Sequence, residues 1–335
     1  MKNISQIIAL CTLTLTTSLW MFWGTSEMYY EGWGLPFPQP LAYLIPALIC
    51  LLLTALCLRW PNIGGWLLIG VGGAFTFWWW GLAYRRGGLS LISALEMVPV
   101  SALLVLTGWL ILHSAKRKET PFRWRWYVGI GVPLLIFLGV SAIQLPQIMT
   151  RLDDGYRGER LIQGNDVTLI WAPAGPGWNW KQPWGGYPSW GSLARYGKPP
   201  IGLKTGDVLG AAPYSEQEMA STGLCAHLSA DGLRLMDEAQ NIWRMPTVEE
   251  IVRSLTRGGL NAGCTPPEGT GRATCESTPD KETPLWAPDQ PPIYYWTGEE
   301  ASTETAFYVS YNGYVNTQPK DWGNPRHGYR CVRDP

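Results

Sequence analysis

Asn241-Ile-Trp-Arg-Met-Pro-Thr-Val-Glu-Glu-Ile-Val-Arg-Ser-Leu255 is the stretch whose reading decides the fold of the C-terminal half. Thr247 followed three residues later by Glu250 makes a capping box. The hydroxyl takes the amide of the third helical residue, and the carboxylate returns to the amide of the cap. Val248, Ile251, Val252 and Leu255 fall at i, i+3, i+4 and i+7, the apolar stripe of a short helix. Gly258-Gly259 is expected to end it. Trp243, just ahead of the cap, is large enough to anchor the helix on a core.

The chain around this stretch is sharply divided. Its 335 residues suffice for two domains. Residues 1–150 carry long apolar runs with nine Lys/Arg and four Asp/Glu, which leaves seventeen of the 26 basic and twenty-two of the 26 acidic residues for 151–335. The net charge of zero is therefore a cancellation of +5 and −5. Neither part has the dense basic patch of a nucleic-acid binder, so no nucleic-acid partner is expected.

Five segments are long and apolar enough to cross a bilayer, near 4–23, 41–58, 65–84, 90–113 and 127–147. The first ends in Leu19-Trp-Met-Phe-Trp23 without a small-x-small cleavage site, and reads as a retained helix. Lys2, Arg59, Lys116, Arg117, Lys118, Arg123 and Arg125 fall on one side, against Arg85 and Arg86 on the other. That bias puts the N-terminus in the cytoplasm. Five crossings then place 151–335 in the periplasm or outside the cell. Pro46, Pro99 and Pro133 are expected to kink their helices. Glu96 reads either as part of a proton relay or as an interfacial carboxylate paired with Arg85 or Arg86. The bland reading of the helical region is a lipid-embedded anchor and assembly surface.

Residues 151–164 read as a polar linker, and 165–335 as a folded domain. Asp166-Val-Thr-Leu-Ile-Trp-Ala172 is strand-like and is broken by Pro173-Ala-Gly-Pro-Gly177. Trp178, Trp180, Trp184 and Trp190 crowd the next segment. They are a candidate ligand surface for a glycan, peptide or protein; the bland reading is an ordered loop packed on its own domain. Ser215 and Glu218 form a second capping box, opening a helix that runs to about His227. A Pro-rich insertion spans Gly258 to Pro292. The end is β-like, with Asn312-Gly313 between aromatic strands as a hairpin signal.

Cys225, Cys264, Cys275 and Cys331 are the four cysteines beyond the apolar runs. In an oxidising compartment they suggest two disulfides, with three pairings possible. Cys264 with Cys275 closes a loop and leaves Cys225 to meet Cys331. The competing reading is a metal or thiol site from Cys225, His227, His327 and Cys331. No phosphate loop, dinucleotide fingerprint or nucleophile elbow is present.

Leu224-Cys-Ala-His-Leu228, Asn241-Ile-Trp-Arg-Met-Pro-Thr-Val-Glu-Glu250, Tyr295-Trp-Thr297 and Gly328-Tyr-Arg-Cys-Val-Arg333 occur in this order. The set resembles the formylglycine-generating-enzyme-like, or sulfatase-modifying-factor, superfamily. Leu169-Ile-Trp-Ala-Pro-Ala-Gly175 looks like its first strand and turn. The resemblance covers about 165–333. It implies an α+β C-type-lectin-like fold, with a cysteine of the first helix (Cys225) paired to one of the last strand (Cys331). It makes Trp243, Arg244, Pro246, Thr247, Glu250, Trp296 and Arg330 a structural signature. The family's copper-binding cysteine pair would fall between Cys275 and Cys331, where this chain has no cysteine, and the histidine cluster of the iron-dependent relatives is missing too. The resemblance therefore implies a domain without the oxidase activity, which binds a protein, peptide or glycan partner. The alternative is an enzyme with a rearranged site at Cys264 and Cys275. No catalytic residue and no cofactor is expected, with a structural calcium ion left open.

Overall fold

The computed structural model describes residues 4–85, 90–96, 98–115, 123–181, 186–198 and 214–335. The chain divides into two compact units, Met1–Pro146 and Gln147–Pro335.

The first unit is helical. Its helices are α1 (Ile4–Glu27), α2 (Ile45–Arg59), α3 (Pro61–Arg85), α4 (Leu91–Leu95), α5 (Val98–Ala115), the single turn α6 (Trp124–Trp126) and α7 (Val132–Met149), whose last turn lies in the second unit. Four stretches are long and apolar enough to cross a membrane: Ile4–Gly32, Gln39–Arg59, Pro61–Arg85 and Trp124–Met149. The segment expected as one span near 90–113 is divided between α4 and α5, with Glu96 exposed after α4 and Pro99 at the second position of α5. Pro99 thus sits in a first turn, which has no amide bond for proline to break. Pro46 and Pro133 instead lie inside the continuous stretches Gln39–Arg59 and Trp124–Met149, directly after a 3-10 segment (Gln39–Leu44) and a π segment (Tyr127–Gly131), local departures from α geometry next to each proline. Among the described residues Glu96 makes no ion pair with Arg85; Arg86, like Lys2 and Lys116 to Lys118, lies outside them.

Small residues set the helix contacts. A Cβ on Gly108 would stand 2.6 Å from the Gly65 carbonyl oxygen, and one on Gly72 would stand 3.0 Å from that of Ser101. As α3 ascends from Gly65 to Gly72, α5 descends from Gly108 to Ser101, so the two run antiparallel in close contact. Between α1 and α2 the hydroxyls of Thr17 and Thr54 hydrogen-bond at 3.0 Å.

The second unit is α+β. Its strands are β1 (Arg160–Gln163), β2 (Thr168–Trp171), β3 (Trp178–Asn179), β4 (Thr256–Arg257), β5 (Leu260–Asn261), β6 (Gly271–Arg272), β7 (Tyr294–Glu300), β8 (Thr305–Ser310), β9 (Tyr314–Pro319), β10 (His327–Arg330) and β11 (Val332–Arg333). They form sheets in the orders β1-β2-β11, β3-β10-β7-β8-β9-β6 and β4-β5. Every pair is antiparallel except β10 with β7. Asn312-Gly313 turns β8 into β9, with Gly313 at φ 81° and Ser310 Oγ bonded to Asn312.

The helices here are short: α8 (Trp190–Ala194), α9 (Glu216–Thr222) and α10 (Val248–Arg253). The Ser215–Glu218 and Thr247–Glu250 capping boxes are both formed. Helix α9 gives way at Gly223 to a 3-10 turn, Leu224–His227. Helix α10 stops at Arg253, earlier than its apolar stripe suggests. Gly258 and Gly259, at φ 62° and 74°, instead make the turn joining β4 to β5. Two successive positive φ values suit a tight hairpin, and the pairing of Thr256 and Arg257 with Asn261 and Leu260 outcompetes another helical turn. Leu255 is still buried.

The segment read as a linker is part of this unit. It supplies β1, Arg151 pairs with Asp280, and Arg157 pairs with Asp289. Two disulfides close the unit. Cys225–Cys331 joins residues 106 apart, and Cys264–Cys275 joins residues 11 apart. The core packs Trp190, Leu193, Leu224, Leu228, Trp243 and Trp296 around the first bridge.

Candidate functional site

The signature residues form one connected piece of scaffold. Trp243 is buried and its indole donates to the Ser229 carbonyl at 2.9 Å. Arg244 grips both oxygens of Glu250 at 2.6 and 2.7 Å, while Glu250 also takes the Thr247 amide. Burial works against ionisation of Glu250, but these donors outweigh it and hold the carboxyl below the usual range. The Pro246 carbonyl accepts from the Gly298 amide. The Trp296 indole donates to the Pro188 carbonyl.

The terminal strands complete this scaffold. Arg330 is fully buried, and its guanidinium lies 3.7 Å from the Trp178 ring centroid. It donates to the carbonyls of Ala172, Pro284 and Leu285. Cys331 is bridged, Val332 exchanges backbone bonds with Arg244, and Arg333 stands over Trp243. Each of these side chains is occupied in holding the fold.

The four tryptophans of the candidate surface are placed differently from one another. Trp190 is a core residue with 0 % exposure, its indole bonded to the Thr297 carbonyl. The Ser189–Ser192 capping box starts α8 just ahead of it and turns the ring inward. Trp184 lies outside the described residues. Trp178 and the half-buried Trp180 line one cleft, of about 400 Å³.

Its other aromatic walls are Trp286 and Tyr295, stacked at 4.0 Å and 5°. The Trp178 indole donates to the Tyr295 hydroxyl at 2.6 Å. Burial raises the Tyr295 phenol, so its own proton stays in place. Polar groups ring the cleft: Asn179, Asp289, Gln290 and Arg157. Arg157 is held by both oxygens of Asp153, at 2.8 and 2.7 Å, and by Asp289 at 2.7 Å. The Arg157 hydrogen bond is what keeps Asp153 below the usual carboxylate range. Lys281 is buried beneath, donating to the Gln290 carbonyl, and burial pushes its amine down to about 7. It fixes the loop that carries Asp289 and Gln290.

Sequence reasoning missed Trp286, Tyr295, Asp289 and Arg157 as cleft residues. The one available signal was a large aromatic, Trp286, inside a Pro-rich insertion.

The proposed metal or thiol set does not assemble. Cys225 and Cys331 are bonded to each other, and His227 contacts the Met236 carbonyl at 3.1 Å. His327 is fully buried among Tyr294, Trp296 and Tyr308, and burial pushes its imidazole down to about 3. Among the described residues, no three or more His, Cys, Asp or Glu are grouped to hold a metal.

No family model, no curated protein and no solved structure matches this chain.

Proposed function

We propose that this is a multi-pass membrane protein presenting a non-catalytic binding domain outside the cytoplasm. The domain has the C-type-lectin-like fold of the formylglycine-generating-enzyme-like superfamily and recognises a protein, peptide or glycan. It can equally serve as a subunit of a membrane assembly. The observation that carries the reading is the pairing of all four cysteines of the second unit into bridges, in a unit that also holds an aromatic cleft. Disulfides suit an extracytoplasmic compartment.

The packing of α5 supports a fifth crossing. This helix packs antiparallel along α3 through Gly65, Gly72 and Gly108, and α4 extends the same apolar segment. An odd number of crossings from a cytoplasmic N-terminus puts the second unit outside.

Two measurements test this. Single cysteines placed at exposed Leu260 and Trp322 are expected to react with a membrane-impermeant maleimide in intact cells; labelling only after lysis would sink the topology. The purified full chain is expected to leave a thiol peptide unoxidised. Stoichiometric copper or iron together with peptide oxidation would replace the binding reading by an enzymatic one.

A further inference from the structure

We propose that the cleft between β3, the 284–292 segment and β7 binds an uncharged carbohydrate, taking about one or two pyranose rings. This rests on the reading of the second unit as a binding domain and gives that domain its ligand class.

Charge narrows the choice first. The carboxylate in the wall, Asp289, is already bound through one oxygen to Arg157 and through the other to the Gln290 side-chain amide, and the Trp178 ring is engaged by the Arg330 guanidinium at 3.7 Å, so neither is set for a cation. An anion would find no available positive charge. Arg157 is paired with two carboxylates, Asp153 and Asp289, which outweigh its charge, and Arg330 is buried against three carbonyls. A neutral ligand remains.

Hydrogen-bonding capacity narrows it further. The Tyr295 hydroxyl accepts from Trp178 and keeps a proton to donate. Asn179 spends its carbonyl on the amides of Trp180 and Lys181, which leaves its side-chain amide as a donor. The Asp289 carboxylate is 55 % exposed and accepts, as does the Gln290 side-chain carbonyl. A purely apolar ligand would strand the buried Tyr295 donor. A proline-rich segment also packs on indoles, but it brings carbonyl acceptors and no amide donors for Asp289 and Gln290. A pyranose ring satisfies both demands. Its C–H face packs on the half-buried indole of Trp180, and each ring hydroxyl both donates and accepts.

The test is isothermal titration of the full chain in lipid nanodiscs with cellobiose, maltose and diacetylchitobiose, and with decaproline. At least one disaccharide is expected to bind, about tenfold more weakly to Trp180→Ala. Asn179→Asp keeps the turn-forming oxygen, removes the donor, and is expected to weaken binding by a smaller factor. Trp322→Ala, at an exposed tryptophan outside the cleft, is expected to leave binding unchanged. Neither added salt nor a metal chelator should matter, because no free charge or cation takes part.

The assignment is overturned if none of the three sugars binds, if a chelator abolishes binding, or if both cleft variants bind like the parent. Decaproline binding that Trp180→Ala abolishes also overturns it, by placing a peptide there. Capture of a specific extracytoplasmic protein, undiminished in Trp180→Ala and without sugar binding, removes the carbohydrate site while the binding-domain reading stands.

Discussion

In Met1–Pro146 the large apolar side chains Leu15, Leu52, Trp66 and Leu135 face outward, and glycines such as Gly65 and Gly108 face inward. In Gln147–Pro335 the order is reversed: Trp171, Trp190, Trp243 and Trp296 are buried, and charged residues such as Asp166, Glu249 and Asp334 lie outside. The difference follows from the solvent each unit is built for. In water, burying indoles is the main driving force. In hydrocarbon that force vanishes between helices, and close backbone approach takes its place. The second unit adds covalent ties: its four cysteines are bridged, whereas Cys11, Cys50 and Cys57 are free.

Removing the long bridge is the strongest way to break this contrast. A Cys225→Ser/Cys331→Ser chain is expected to lose about 2–5 kcal/mol of stability in the second unit, read by denaturant titration with limited proteolysis. The Cys264→Ser/Cys275→Ser chain should lose less, since it frees a loop of 11 rather than 106 residues. Equal losses, or a comparable loss from changing Cys11, Cys50 and Cys57 to alanine, would contradict the division. Arg330→Met comes next, at about 2–4 kcal/mol, because it leaves the carbonyls of Ala172, Pro284 and Leu285 without donors. Hydrogen exchange at β10 should report it, and Arg330→Lys should recover only part of the loss.

In the helical unit, Gly108→Leu is expected to cost about 1–3 kcal/mol by overpacking α5 on α3. Gly73→Leu, where an added Cβ meets nothing within 4 Å, should be silent in the same detergent melting assay. Two further effects are those of pH. The folded carboxyl of Glu250 titrates below its ordinary value of 4.5. Its contribution is therefore present above that pH and lost as pH falls through the folded value; Glu250→Gln should flatten this acid limb. Lys281 has the opposite effect at neutral pH. With a folded value of about 7 against an ordinary 10.5, the unfolded chain holds more protons across that window, so stability rises with pH through it. Lys281→Met should remove the rise.

Local chemistry was readable from the sequence. The Thr247–Glu250 and Ser215–Glu218 boxes are closed by residues three apart, so a short window contains all the information. Apolar runs in 1–150 were equally plain. Where two local structures share a residue preference, the sequence was ambiguous. Gly258-Gly259 suits a helix end or a hairpin turn, and only the pairing of β4 with β5 decides. Trp180 and Trp190 belong to the same aromatic run, yet one lines a cleft and the other fills the core. The cleft itself was hidden because Arg157, Trp178, Trp286 and Tyr295 come from separate elements, joined by contacts that no spacing encodes.

The last strand changes sheets at Cys331: β10 belongs to the six-stranded sheet, and β11 pairs with β2. Strands β1 and β11 thus flank β2, and Arg333 reaches Glu159 at 2.8 Å. Strand β2 is therefore the seam that holds an early and a late strand of the unit together, and a cut in the turn between β1 and β2 leaves both still paired to it.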